Sequence, residues 1–352
     1  MPDPNVEMIR YLDADGTPVQ DLPDFARQRD TLVDLYAAMV RTRAFDAKAV
    51  ALQRTGRLGT YGSSLGQEAI GIGVASVMLA EDVFIPSFRE HGAQMMRGVS
   101  MEELFLYWGG DERGNDFAAP LARRDFPVCV PVGSQFPQAA GVALALVQKG
   151  ARGVAVAVAG DGATSKGDFY EAMNMVGVWQ LPAVFVINNN QWAISLRRQD
   201  QTAAETLAQK SVAAGIPGVV VDGNDVIAVR QVTAQALSRA RAGPGGTLIE
   251  CVTYRLGDHT TSDDASRYRE DEEVSPHWRQ EPVLRLRNHL VAAHGWSKDE
   301  EEALLRESND SVDKAAEVYL ATQPDRPRAM FEHMFAQMPT ELAQQAGDVA
   351  DD

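Results

Sequence analysis

The sequence predicts an α/β fold with a doubly wound, mostly parallel sheet, and two observations carry that expectation. Four short apolar runs, 126–130, 153–159, 181–187 and 247–254, are β-branched and nearly continuous in hydrophobicity, as strands are when helices cover both faces of a sheet. Helix-like stretches at 136–149, 168–179, 204–214 and 225–242 fall between them, so strand and helix alternate along the chain.

Residues 1–24 are acidic and turn-rich, with a turn at Asp13-Ala-Asp-Gly16, and read as an arm lying on another part of the molecule. Leu32, Leu35, Tyr36 and Met39 recur at three- and four-residue spacing ahead of Phe45, the stripe of a long amphipathic helix that runs to about Arg54 and stops at Gly56. A glycine-spaced passage, Arg57 to Ala69, opens into a small-residue helix over 67–79. The run from Asp82 to His91 reads as a short strand entering a polar loop, which puts Arg89 and His91 at the rim of the sheet, where ligands sit in this architecture. Helices are expected at 281–293 and 298–319, the second announced by the start signal Ser297-Lys-Asp-Glu300. The text ends in Asp-Val-Ala-Asp-Asp352, which is expected to fray. The organisation is thus an arm (1–30), one domain (31–320) and a tail (321–352).

Composition removes several function classes. With 49 acidic against 33 basic side chains, the formal charge of -16 repels a nucleic acid backbone over most of the surface. The longest apolar runs, such as Gly153 to Ala159, are far too short to cross a bilayer. Cys129 and Cys251 both lie in strand-like text and read as buried small hydrophobes, without a disulfide framework or a cysteine metal site. The opening Met-Pro-Asp-Pro-Asn-Val-Glu lacks the basic flank and apolar core of an export signal, so the expected location is cytoplasmic.

The strongest local signal is Gly160-Asp-Gly162 directly after the run Val154–Ala159. A carboxylate leaving the end of a buried strand has few structural duties, and flanking glycines let backbone approach a ligand closely. The next strand ends in Asn188-Asn-Asn-Gln-Trp-Ala193, bringing further oxygen donors to the same sheet edge. Asp161, the Asn190 side-chain oxygen and the Trp192 carbonyl make three hard ligands, which phosphate oxygens and a water complete to the six-coordinate shell magnesium prefers. Three adjacent asparagines are also an ordinary turn, and that alternative stands beside the ligand reading.

Two basic clusters supply counter-charge: Phe88-Arg-Glu-His91, and the segment Tyr254-Arg-Leu-Gly-Asp-His259 that leads into Thr-Thr-Ser-Asp-Asp264 and Arg269. Arginine gives phosphate two parallel hydrogen bonds and histidine gives one, so Arg89, Arg255 and His259 suit a diphosphate. The second cluster is rich in small and polar residues and reads as a mobile loop, although Asp263, Asp264, Arg267 and Arg269 could equally be surface ion pairs.

Gly160-Asp-Gly-Ala-Thr-Ser-Lys-Gly-Asp-Phe-Tyr-Glu-Ala-Met-Asn174, with Asn189-Asn190 one strand later, resembles the thiamine diphosphate motif of 2-oxo acid dehydrogenase alpha subunits, and the likeness extends over about 30–320. It implies thiamine diphosphate and Mg2+ as cofactors, with Asp161, Asn190 and Trp192 on the metal. Gly160, Gly162 and Ala163 would then shape the loop beneath the diphosphate, and Phe88, Arg89, Arg255 and His259 would surround it. It implies catalytic roles for His259 and His91, and in some relatives a potassium ion near Ser134 and Gln135, a segment that a Pro-bracketed turn explains as well. Phe88 departs from the family's usual tyrosine, which removes one hydroxyl contact, and Thr260 stands where some animal members carry a phosphorylated serine. The implied partners are a separate beta subunit in an α2β2 assembly and the lipoyl-bearing dihydrolipoyl acyltransferase. Close subunit packing is expected from 56–68 and from the helix at 136–146, for which core contact within the chain is the equal alternative. The implied substrate is a 2-oxo acid. His91 and the stretch Gln201–Gly218 resemble pyruvate-type members, while Thr261-Ser-Asp-Asp264 is shared with branched-chain ones. A nicotinamide enzyme is excluded, since Gly-x-Gly-x-x-Gly is missing between first strand and helix. A cofactor-free subunit that kept only the fold is disfavoured by intact Asp161, Asn190, Arg89 and His259.

Overall fold

The computed structural model describes residues 7–243, 245–332 and 334–349. The expectations for the first six and last three residues fall outside these. In chain order the elements are α1 (Arg29–Arg54), α2 (Glu68–Ala75), β1 (Val83–Ile85), α3 (His91–Met96), α4 (Met101–Trp108), α5 (Gln135–Gln148), β2 (Ala155–Gly160), α6 (Gly167–Trp179), β3 (Ala183–Asn189), β4 (Trp192–Ala193), β5 (Leu196–Arg197), α7 (Arg198–Gln201), β6 (Gly218–Asp222), α8 (Val226–Arg241), β7 (Thr247–Val252), α9 (Asp271–Val274), α10 (Pro282–His294) and α11 (Lys298–Ala321), with two short helices in the tail.

Five strands form one sheet in the order β1-β2-β3-β7-β6, every pairing parallel. Strand side chains alternate between faces, and both faces are dry. Ala155, Ala157, Ala159, Ala183, Phe185 and Ile187 pack with α5 and α6 on one side, while Val154, Val156, Val158, Val184 and Val186 pack with α2 and α8 on the other. That two-sided burial is why these runs lack a polar alternation. On α5, Ala139, Ala140 and Ala143 are fully buried in the chain's own core.

Three elements differ from expectation. Residues 126–130 are not a strand: Phe126 donates one backbone bond to Phe84, then Pro127 and Pro131 bracket an extended segment that leaves the sheet with Val130 exposed. The fifth strand is instead β6, at the sheet edge, hidden in sequence behind the turn-like Pro217-Gly218. Between these, 208–214 is a 3-10 helix rather than the longer helix expected over 204–214. The predicted start of α11 is realised as a full capping box between Ser297 and Glu300.

The arm lies along β6. Ile9 bridges Val221, donating to the Val220 carbonyl and accepting from Asp222. Buried Asp225 accepts from the amides of Tyr11 and Leu12 as well as from Ile227 and Ala228 at the start of α8, so one carboxylate caps a helix and pins the arm. A second buried polar tie joins three helices: Arg43 of α1 bonds Glu68 at the start of α2 and Glu281 at the cap of α10, at 2.8 and 2.6 Å. No helix among the described residues is long and apolar enough to cross a membrane.

Candidate functional site

The carboxyl ends of β2 and β3 are neighbours, with Gly160 in register with Asn188. Asp161 therefore leaves one strand beside the asparagines that leave the next. A cavity of about 240 Å³ opens above them, lined by Asp161, Asn190, Trp192, Arg89 and His259, with Phe88 and Gly160 in its wall.

The two glycines of the motif have different reasons. At Gly160 the backbone (φ -73°, ψ 168°) suits any residue, and a Cβ there would meet no protein atom within 4 Å, only the cavity. At Gly162 a Cβ would stand 2.7 Å from the Ala193 Cβ, so this glycine is required by the close approach of the β4 turn. That contact brings the stretch carrying Asp161 against the stretch carrying Trp192.

Asp161 is buried, and desolvation raises its pKa against the hydrogen bond from Gln201 and the fields of Arg255 and Arg89. The Trp192 amide donates to Asn190 Oδ1 at 3.2 Å, and the Asn190 amide nitrogen donates to Gln67 at 2.9 Å. The Trp192 carbonyl has only a 3.5 Å approach from Arg255. Among the described residues no three His, Cys, Asp or Glu side chains gather to hold a metal. The donor set here is one carboxylate, one amide oxygen and one carbonyl, which fits a hard divalent cation whose other ligands arrive with an anion.

Arg89, in the cavity wall, and Arg255, outside it, are both buried and, among the described residues, in ion pair with no carboxylate. Arg89 donates to the Ser63 and His259 carbonyls. Arg255 donates to the Ile194 carbonyl and the Tyr268 hydroxyl. Burial, and then its neighbour Arg255, bring Arg89 down to about 10, which leaves it cationic. Both guanidiniums also approach His259 Nδ1, at 3.1 and 3.3 Å. Guanidinium only donates, so Nδ1 is an acceptor and the ring's proton sits on Nε2. Burial and the two arginines depress the His259 pKa to about 4, so the ring is neutral near pH 7 and offers one N–H.

His91 lies elsewhere. It is buried outside the cavity wall, stacked on Tyr61, with Nε2 accepting from Trp108 at 2.9 Å and Nδ1 facing the Tyr61 hydroxyl at 3.3 Å. The Tyr61 hydroxyl donates in turn to Asp46. Burial, then Arg89, lower the His91 pKa to about 3. Phe88 presents its ring edge-on to His259 and lies beneath the Arg89 guanidinium.

The loop after β7 is closed on itself. Asp263 accepts from the His259 amide and the Tyr268 hydroxyl, and buried Arg269 donates to the carbonyls of Arg255, Leu256 and Gly257. Only Asp264 and Arg267 form an exposed surface pair. Within their own turn, the Ser134 hydroxyl donates to the Pro131 carbonyl and Gln135 Oε1 accepts from the Gly133 amide. Cys129 is half-buried beside Ser134, and Cys251 is buried in the core. Gln67 and Gln201, each bonded to a candidate metal ligand, carried no signal in the sequence.

Residues 36–327 match the family described as Dehydrogenase E1 component. The chain belongs to the dehydrogenase E1 component family. Its similar proteins include "Pyruvate dehydrogenase E1 component subunit alpha" of Staphylococcus aureus, 40 % identical over 96 % of this chain and 91 % of that protein. The protein of the same description from Staphylococcus epidermidis is 38 % identical over the same shares. The E1 match takes in all the cavity residues named above.

Proposed function

We propose that this E1 chain is the alpha subunit of a pyruvate dehydrogenase and holds thiamine diphosphate through Mg2+ at the ends of β2 and β3. The observation that carries this reading is one cavity whose lining has two chemical halves: a carboxylate, an amide oxygen and a carbonyl, and the Arg89 guanidinium with a neutral imidazole N–H, against which Arg255 packs. A divalent cation bridged to a diphosphate satisfies both halves at once, and neither partner alone does. The relatives described as pyruvate dehydrogenase alpha subunits favour pyruvate over a branched-chain 2-oxo acid.

In this reading Asp161, Asn190 and the Trp192 carbonyl hold the metal, and Gly160, Gly162 and Ala163 form the floor. Arg89, Arg255 and His259 take the phosphate oxygens, and Phe88 closes the wall. When bound, the cofactor supplies stabilisation of the carbanion left by loss of carbon dioxide. His259 keeps its proton on Nε2 because both arginines occupy Nδ1, so it donates to an anion without itself carrying charge. His91, tied between Trp108 and Tyr61, acts as a positioning residue behind Arg89 rather than on substrate. A potassium ion, as in some relatives, would take its oxygens from this turn, where Ser134 Oγ donates to the Pro131 carbonyl and keeps its own lone pairs. Residues 31–320 make the cofactor-binding domain, with 1–30 as its arm and 321–352 as a tail. The subunit works in the cytoplasm in an α2β2 assembly with a beta subunit and hands the acetyl group to the lipoyl domain of a dihydrolipoyl acyltransferase.

The test uses the chain purified with its beta subunit. Asp161→Ala is expected to abolish Mg2+-dependent cofactor binding in a fluorescence titration, and the wild type to decarboxylate pyruvate faster than 3-methyl-2-oxobutanoate. An unchanged titration in the variant overturns the ligand assignment, and preference for the branched substrate overturns the pyruvate reading.

A further inference from the structure

Each of the two side-chain candidate metal ligands is held by a glutamine from outside the motif. Gln67 stands at the start of α2, 123 residues from Asn190, and its Oε1 accepts from Asn190 Nδ2 at 2.9 Å. Gln201 ends α7, and its Nε2 donates to Asp161 Oδ2 at 2.7 Å. We infer that Gln67 and Gln201 are positioning residues that orient the two side-chain ligands toward the ion.

The hydrogen-bond logic leaves little freedom. The Trp192 amide can only donate, so the atom of Asn190 that faces it is Oδ1, and Nδ2 must face Gln67. Gln67 must then present oxygen, which turns its own Nε2 into the interior, where it has no protein partner. Gln67 lines a cavity of about 10 Å³ with Glu68 and Asn188, whose Oε2 and Oδ1 are likewise without protein partners. The side chain thus leaves one of its own donors without a protein partner while its oxygen is spent on Asn190, and an apolar residue here would strand the Asn190 N–H instead. The backbone aims it: Gly66, at φ +82°, turns the chain against Leu256, leaving no room for a Cβ, and its carbonyl accepts from Thr253 beyond β7.

Gln201 acts on the carboxylate. Its N–H occupies Oδ2 and leaves Oδ1 for the ion. Each bond thus selects the ligand atom and fixes its direction before metal arrives, the arrangement through which groups behind a metal's direct ligands commonly change its affinity 10- to 100-fold.

This inference rests on the metal reading above, and the experiment separates the two. In the assembled α/β enzyme with thiamine diphosphate, Mn2+ binding is titrated by the loss of its free-ion EPR signal for wild type, Gln67→Leu, Gln67→Glu, Gln201→Leu and Asp161→Ala. Gln67→Leu and Gln201→Leu are each expected to weaken Mn2+ about 10- to 100-fold, with kcat at saturating metal within about threefold of wild type. Gln67→Glu, which keeps the acceptor oxygen, is expected to recover most of that loss. Wild-type Mn2+ affinity in both leucine variants, with Asp161→Ala devoid of binding, overturns the role of the glutamines and leaves the metal site standing. Wild-type affinity in Asp161→Ala removes both. Gln201 is half-exposed, so its variant keeps the test available if Gln67→Leu fails to assemble.

Discussion

Replacing Gly160 with alanine separates ligand binding from folding. The backbone at this position (φ -73°, ψ 168°) is open to any L residue, and the added methyl would meet no protein atom within 4 Å. The free protein is therefore expected to keep its stability or gain up to about 1 kcal/mol, because alanine restricts the unfolded chain. The methyl would instead enter the space the diphosphate fills, and an extra methyl in a filled site costs about 1–3 kcal/mol, or about 5- to 150-fold in affinity. Gly162→Ala is the contrast. Its Cβ would lie 2.7 Å from that of Ala193, about 1 Å closer than carbon atoms normally pack, so the loops bearing Asp161 and Trp192 must separate. It is expected to destabilise the free protein by about 1–3 kcal/mol as well as weakening binding. Urea unfolding without cofactor, paired with a cofactor titration, reads both quantities. A Gly160→Ala protein that loses stability while binding cofactor normally would refute the placement of the ligand against Gly160.

His259→Ala is expected to slow acetyl transfer to a lipoyl domain more than decarboxylation, and equal slowing of the two half-reactions in rapid-mixing kinetics would place the residue elsewhere. His91, with its folded pKa near 3 against 6.5 unfolded, contributes stability that is present above about pH 6.5 and is lost as the pH falls, because the unfolded chain then binds a proton that the folded one refuses. By pH 4.5 this loss should reach about 2–3 kcal/mol. Buried Glu68, Glu90 and Asp161, all raised by burial, work in the opposite direction, so the measurement is the stability difference between wild type and His91→Gln across pH; a flat difference contradicts the assignment. Arg43→Ala leaves the carboxylates of Glu68 and Glu281 facing each other without their cation and should cost about 3 kcal/mol in urea unfolding; a loss under about 0.5 kcal/mol would mean the tie is no stronger than a surface pair.

The centre of the site was legible because its parts lie on elements with strong local signatures. Buried parallel strands announce themselves by unbroken hydrophobicity, and whatever follows their carboxyl ends must sit at the rim, so Asp161 and Asn190 could be placed from the text alone. The segment 126–130 reads as a strand because its apolar composition outweighs Pro127 within it and Pro131 just after it, and β6 escapes notice because an edge strand of five residues leaves little pattern. His91 looked like a rim residue until its partners Trp108 and Tyr61, distant in sequence, enclosed it. Gln67 and Gln201 belong to no motif; their roles exist only through contacts spanning 123 and 40 residues, which local periodicity does not encode.

The arm along β6 bears on how the chain is handled. Its Ile9 occupies the Val220 carbonyl and the Asp222 amide on the outer edge of the sheet, groups that would otherwise be open to pairing with a foreign strand. A version beginning after Leu12 would expose those groups and leave the Asp225 carboxylate with two fewer donors, inviting self-association before any chemistry is lost. The inconspicuous stretch from Ile9 to Leu12 is in this sense a solubility device, and a fusion or label is better attached ahead of it than in its place.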